Sequence, residues 1–149
     1  MSSLNELGGV HYRVLRRQVW DFVVGVGLSY LHGNIVKYLS RWRKKGGLDD
    51  LGKAVHYLDK LIESVDSGLV QLFPVRDVLP IDYCEANKIV GWERDVIVGL
   101  CGAVSLADLL VVRECLSRGV FLEREGFLSL GRSLGSSLLG SFLLGLSRL

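Results

Sequence analysis

At 149 residues the chain can bury one substantial core, or two small units packed together. Apolar residues make up 49% and proline occurs twice, which excludes a disordered chain and points to a compact, mainly helical protein. The net charge of +2 hides an asymmetry: residues 11–60 carry ten Lys/Arg against four Asp/Glu, and residues 61–149 carry eight against eleven, so an anionic ligand belongs with the first part.

The three cysteines, Cys84, Cys101 and Cys115, are odd in number, widely spaced and set among apolar residues. They read as reduced core cysteines of a cytosolic protein, not as a disulfide frame or a zinc site. Residues 1–9 are too polar for a signal peptide. The uncharged runs 96–107 and 133–147, twelve and fifteen residues long, fall short of the roughly 20 that span a bilayer, so no membrane partner is expected.

Residues 1–10 form an N-terminal arm, followed by His11, Tyr12 and the basic Arg13, Arg16 and Arg17. Residues 18–28 are apolar and read as a helix, although Val19, Val23 and Val24 leave a strand open. A helix over 33–45 puts Asn34, Lys37, Tyr38 and Arg41 on one face and Ile35, Leu39 and Trp42 on the other. Gly46-Gly47 ends it, with Lys44 and Lys45 in the last turn, and Asp49 or Asp50 starts a second helix carrying Leu51, Val55, Leu58 and Ile62 inward.

The short connection makes the two helices an antiparallel pair, with Arg41 near Lys53 and Tyr38 near His56 and Tyr57. Lys37, Arg41 and Lys53 are thereby pooled with Asn34, Tyr38 and Tyr57 on one surface. It is either a phosphate-binding surface or a solvated basic face.

Gly68, Pro74 and Pro80 mark a connector. Beyond it the apolar frame returns: at a spacing of 61, Asp21, Phe22, Leu28, Asn34 and Leu39 align with Asp82, Tyr83, Ile89, Asp95 and Leu100. At a spacing of 58, Leu48, Asp50, Leu51 and Leu58 align with Leu106, Asp108, Leu109 and Leu116. The reading is an internal duplication of a helical hairpin unit, with an active first copy and a degenerate second one in which Lys37, Tyr38, Arg41 and Lys53 give way to Val98, Gly99, Gly102 and Val111. The organisation is then an arm (1–10), a first unit (11–65), a connector (66–78), a second unit (79–122) and a Leu/Ser/Gly-rich C-terminal helix (123–149) whose Leu130, Leu134, Leu138 and Phe142 share a face.

Residues 47–53 fit the spacing GxxxxGK, but Ala54 stands where a magnesium-binding hydroxyl belongs and no strand precedes it, so this is no P-loop. His11, His32 and His56 have no metal-ligand spacing, and no metal site is expected. His32 belongs near a helix start; Trp42 and Trp92 are core or interface aromatics.

Taken in order, His11-Tyr12, Val19-Trp20-Asp21-Phe22, Gly33-Asn34-Ile35-Val36-Lys37-Tyr38, Arg41, Lys45-Gly46-Gly47, Asp50-Leu51, Lys53-Ala54 and Tyr57-Leu58 make one set. That set resembles the pattern HY, PID, GNxxKY, R, KGG, DL, KA and YL of the small phage SaV-like family that includes the phage T7 nucleotide kinase. Val19-Trp20 departs from the Pro-Ile of the usual segment, whereas Pro80-Ile81-Asp82 in the second half matches it.

The resemblance implies phosphoryl transfer to deoxynucleoside monophosphates, from ATP or a deoxynucleoside triphosphate, in the cytoplasm of an infected bacterium. Under it, Lys37, Arg41 and Lys53 neutralise the moving phosphoryl group, and Asn34, Tyr38 and Tyr57 orient phosphate or sugar. His11 and Tyr12 close over the base, and Arg43 and Lys44 steer nucleotides in. Magnesium arrives with the nucleotide, since no carboxylate pair claims it. The expected assembly is a homo-oligomer, and nucleic acid is not the expected partner. The alternative is a non-catalytic helical protein that binds or sequesters a nucleotide or a nucleotide-derived signal.

Overall fold

The computed structural model describes residues 18–75 and 78–126. The arm with His11 and Tyr12, and most of the expected C-terminal helix, lie outside the described residues. Among the described residues six helices follow in order: α1 (Val19–Val26), α2 (Tyr30–Arg41), α3 (Gly47–Asp66), α4 (Val78–Ala86), α5 (Trp92–Gly102) and α6 (Leu106–Arg124). No strand occurs among the described residues, so the valines of residues 18–28 sit in a helix.

Local chemistry sets the ends of these helices, and it moves two expected boundaries. Gly27, at φ 74°, stops α1 and returns its N–H to the carbonyls of Val23 and Val24. Ser29 caps α2 by accepting from the His32 N–H, so the helix begins before Gly33. It ends at Arg41, whose carbonyl accepts from the N–H groups of both Lys44 and Lys45; these lysines lie in the connecting turn, not in a last helical turn. The next helix starts at Gly47 instead of Asp49 or Asp50, because Asp50 turns its carboxylate inward and is fully buried.

Helix α2 packs along α3 and α5 along α6, and the two pairs meet through α3 with α6 and α2 with α5. Ile35, Leu39, Leu51 and Leu58 from the first pair join Leu100, Leu109 and Leu116 from the second in one continuous core. Helix α1 lies on α2 and α4 on α5. The lengths 8, 12 and 20 residues of α1 to α3 recur as 9, 11 and 19 in α4 to α6.

Phe22 of α1 stacks on Tyr83 of α4, ring centroids 4.3 Å apart, so the first helices of the two halves touch at the aligned positions. Cys84 and Cys101 are buried free thiols as expected, but Cys115, a free thiol of α6, is exposed. No helix among the described residues is long and apolar enough to cross a membrane.

Candidate anion and nucleotide groove

Helical spacing brings Asn34, Lys37, Tyr38 and Arg41 to one face of α2, and the antiparallel packing of α3 adds Lys53 and Tyr57. The centre is the Tyr38 ring. Lys37 Nζ lies 4.8 Å from its centroid, Arg41 Cζ 4.9 Å and Lys53 Nζ 5.4 Å. Three cations gathered around one ring repel one another, and the ring quadrupole offsets part of that cost.

Asp50 offsets more of it. Arg41 donates to its carboxylate through Nε at 2.8 Å and Nη2 at 3.3 Å, and Lys53 through Nζ at 3.3 Å. The guanidinium of Arg41, helped by Lys53, holds the Asp50 carboxyl below the usual carboxylate range, and the same hydrogen bond raises the Arg41 pKa. Three cations against one carboxylate leave the cluster at +2. Gly46 makes this possible, because a Cβ there would collide with the Asp50 carboxylate.

Behind the cations runs an aromatic rail. Tyr38 stacks on Tyr57 with centroids 5.8 Å apart, and Tyr57 meets Tyr30 edge-on at 6.2 Å. Hydrogen bonding with Tyr30 raises the Tyr57 hydroxyl pKa, with burial adding to it. His56 is exposed and sits edge-on to Tyr57.

Next to the rail, α1 and α2 enclose an open groove of about 460 Å³. Its α1 wall is Val19, Trp20 and Val23; its α2 wall is Tyr30, Gly33 and Asn34, with Lys37 and Arg41 at the end where it joins the cation cluster. Asn34 Nδ2 donates to the Tyr30 carbonyl at 2.9 Å, which leaves its Oδ1 as an acceptor on the groove.

Six of the expected side chains are therefore brought together: Asn34, Lys37, Tyr38, Arg41, Lys53 and Tyr57. Arg43 is not with them. It stacks on Trp42 and turns to the second half, donating to Glu93 and to Glu123, each at 2.8 Å, so it ties α2 to α5 and α6. Lys44 is exposed in the turn after α2 and does not line the groove.

Residues 47–53, the GxxxxGK spacing, fall within the first two turns of α3. Asp50 is already bonded to Arg41 and Lys53, so this buried carboxylate is not offered to a divalent ion. Among the described residues no three His, Cys, Asp or Glu side chains form a metal-holding group.

The sequence reading missed Trp20 and Tyr30 as groove residues and Asp50 as the carboxylate within the cation cluster. Asp50 looked like a helix cap. A signal existed for Trp20: six of the eight residues of α1 are apolar, more than one buried face of so short a helix can use.

A family model described as a protein of unknown function (DUF3310) matches residues 15–59. The chain is similar to that family there. The matched span takes in α1, α2 and α3 as far as Asp59, hence every side chain named above for the groove and the cation cluster. No curated protein and no solved structure matches the chain.

Proposed function

We propose that the protein is a phage nucleotide kinase-like phosphotransferase that passes the terminal phosphoryl group of ATP or a deoxynucleoside triphosphate to a deoxynucleoside monophosphate, without a P-loop. The observation that carries this reading is the convergence of Lys37, Arg41 and Lys53 on the Tyr38 ring, with Asp50 paired to Arg41 and Lys53. Such a cluster, left at +2 beside an open groove, is suited to phosphate. The motif set from His11 to Leu58, with its likeness to phage nucleotide kinases, supports transfer over simple anion binding.

The acceptor monophosphate is largely ionised at neutral pH, so the reaction needs alignment and charge neutralisation more than a base. A phosphate oxygen of the acceptor forms a bond to the terminal phosphorus of the donor. The bond from that phosphorus to its bridging oxygen breaks, and the electron pair stays on the departing diphosphate. Two diphosphates result, and no proton has to move between fully ionised partners.

In this reading Lys37 and Arg41 hold the transferring group, Lys53 supplies further charge, and Asp50 positions Arg41 and Lys53. Asn34 and Tyr57 orient sugar and phosphate. Magnesium enters as part of the triphosphate substrate. The protein works in the cytoplasm of the infected host as a homo-oligomer, and the exposed Leu110, Val111 and Phe121 of α6 support a contact between copies. The recurring helix lengths support a duplicated unit whose first copy kept the polar stripe.

One observation favours the non-catalytic alternative. A groove of about 460 Å³ has the size of a pocket for one small ligand, whereas transfer needs donor and acceptor together. Incubation of the protein with mixed nucleoside mono- and triphosphates, read by mass spectrometry, decides between the two. New diphosphates from the wild type, absent with Lys37→Ala or Arg41→Ala proteins of unchanged circular dichroism, are the expected result. Unchanged nucleotides with one retained on the protein would make it a sequestering module. Equal turnover by the two variants would sink the site assignment.

A further inference from the structure

Resting on the nucleotide reading, we infer that Trp20 and Tyr30 form the base-binding end of the groove, where the nucleobase stacks while its phosphate is held by Lys37 and Arg41. Two of the nearby aromatic rings are already engaged: Tyr38 and Tyr57 stack on each other, and Tyr38 is ringed by cations. Trp20 and Tyr30 are different. They stay 70% and 74% exposed while both line the cavity that also reaches Lys37 and Arg41.

Exposure of two large aromatics at one groove carries a hydration cost that a flat apolar ligand removes, and every nucleobase has such a face. The rings are also held in place. Trp20 Nε1 donates to Gln18 Oε1 at 2.8 Å, and Tyr30 rests edge-on against Tyr57. At Gly33 a Cβ would come within 2.9 Å of Val23 Cγ1, so glycine is what lets α1 lie close enough to α2 for Trp20 to face this groove. Charge at one end and open aromatic surface at the other match the two ends of a nucleotide.

Trp42 and Trp92 are buried, so Trp20 is the solvent-exposed tryptophan of the three in the sequence, and its emission reports directly on the groove. The test titrates wild type, Trp20→Leu and Lys37→Ala proteins with a deoxynucleoside monophosphate and with 2-deoxyribose 5-phosphate, following tryptophan emission and heat of binding.

The wild type is expected to bind the nucleotide roughly five- to a hundredfold more tightly than the sugar phosphate, the range that stacking on an aromatic ring supplies. Trp20→Leu should bring that ratio close to one, and Lys37→Ala should weaken both ligands alike. Equal wild-type affinities for the two ligands, or full nucleotide affinity in Trp20→Leu, overturns the base site and leaves the phosphate reading standing. Binding of neither ligand to the wild type overturns both.

Discussion

Arg43 and Lys37 look alike in the sequence, yet the structure gives them opposite consequences. Arg43 lies between Glu93 and Glu123, whose carboxylates are nearly buried, and the indole N–H groups of Trp42 and Trp92 donate to the same two acids. Burial raises the Glu93 pKa against the pull of Arg43, so removing the cation leaves a strained pair of acids. Arg43→Ala should therefore cost about 2–3 kcal/mol of stability in urea unfolding, less than a fully buried pair because the guanidinium is partly exposed. Nucleotide affinity should not change, and a weakened affinity would return Arg43 to the binding surface. His32 gives a second residue-scale test. Burial lowers its pKa to about 4, so below pH 6.5 the unfolded chain binds a proton that the folded one refuses. Its contribution is complete above pH 6.5 and is lost as pH falls toward 4, by up to about 3 kcal/mol at 1.36 kcal/mol per unit. Stability measured from pH 7 down to 5 should decline in the wild type and stay flatter in His32→Gln.

Among the helices, two glycines test where propensity ends and packing begins. Gly52 lies inside α3 and a Cβ there would meet nothing within 4 Å; Gly119 lies inside α6 and a Cβ there would run into the Trp92 ring. Helix propensity alone favours alanine at both places. Gly52→Ala should accordingly stabilise by about 0.5–1 kcal/mol, while Gly119→Ala should destabilise, since it must push α6 off α5. Thermal unfolding of the two variants gives the sign directly, and a gain at both would mean that α6 repacks freely against Trp92. The helix starts show the same contrast between local and distant control. Asp108 completes a capping box with Ser105 at the head of α6, whereas Asp50, its aligned counterpart in α3, leaves that task to serve Arg41 and Lys53.

At the scale of the whole molecule, the halves are bound by a shared interior. Tyr83 is fully buried, stacks on Phe22 and bonds the Ser40 hydroxyl at 2.7 Å; Ser40 donates to the Val36 carbonyl, so Tyr83 is the donor to Ser40. Burial raises the Tyr83 hydroxyl pKa to about 12, and it stays protonated through the neutral range. Tyr83→Phe keeps the stack and should cost about 1 kcal/mol for the lost hydrogen bond; Tyr83→Ala should cost about 3–5 kcal/mol and loosen α1 and α4 together. Denaturant unfolding of both variants followed by tryptophan emission checks the ratio. The exposed Arg113–Asp59 pair also joins α3 to α6, but in water such a pair adds little beside this interior.

The helical class, the bounds of α2 and α3 to within a few residues, and the polar face of Asn34, Lys37, Tyr38 and Arg41 were all legible in the sequence. They depend on periodicity and turn residues, which act over a few positions. The clustering of Lys53 with Arg41 was legible too, because a short turn between two helices fixes what faces what. Only the tertiary structure decided that Arg43 turns to Glu93 and Glu123, that Asp50 is buried instead of capping, and that Trp20 is open to the groove. Those outcomes depend on partners brought in from another helix, in Arg43's case fifty and eighty residues away along the chain, and on how closely Gly33 and Gly46 let neighbouring groups approach. A residue's chemistry is written in its side chain, but its surroundings are set by packing between elements distant in sequence.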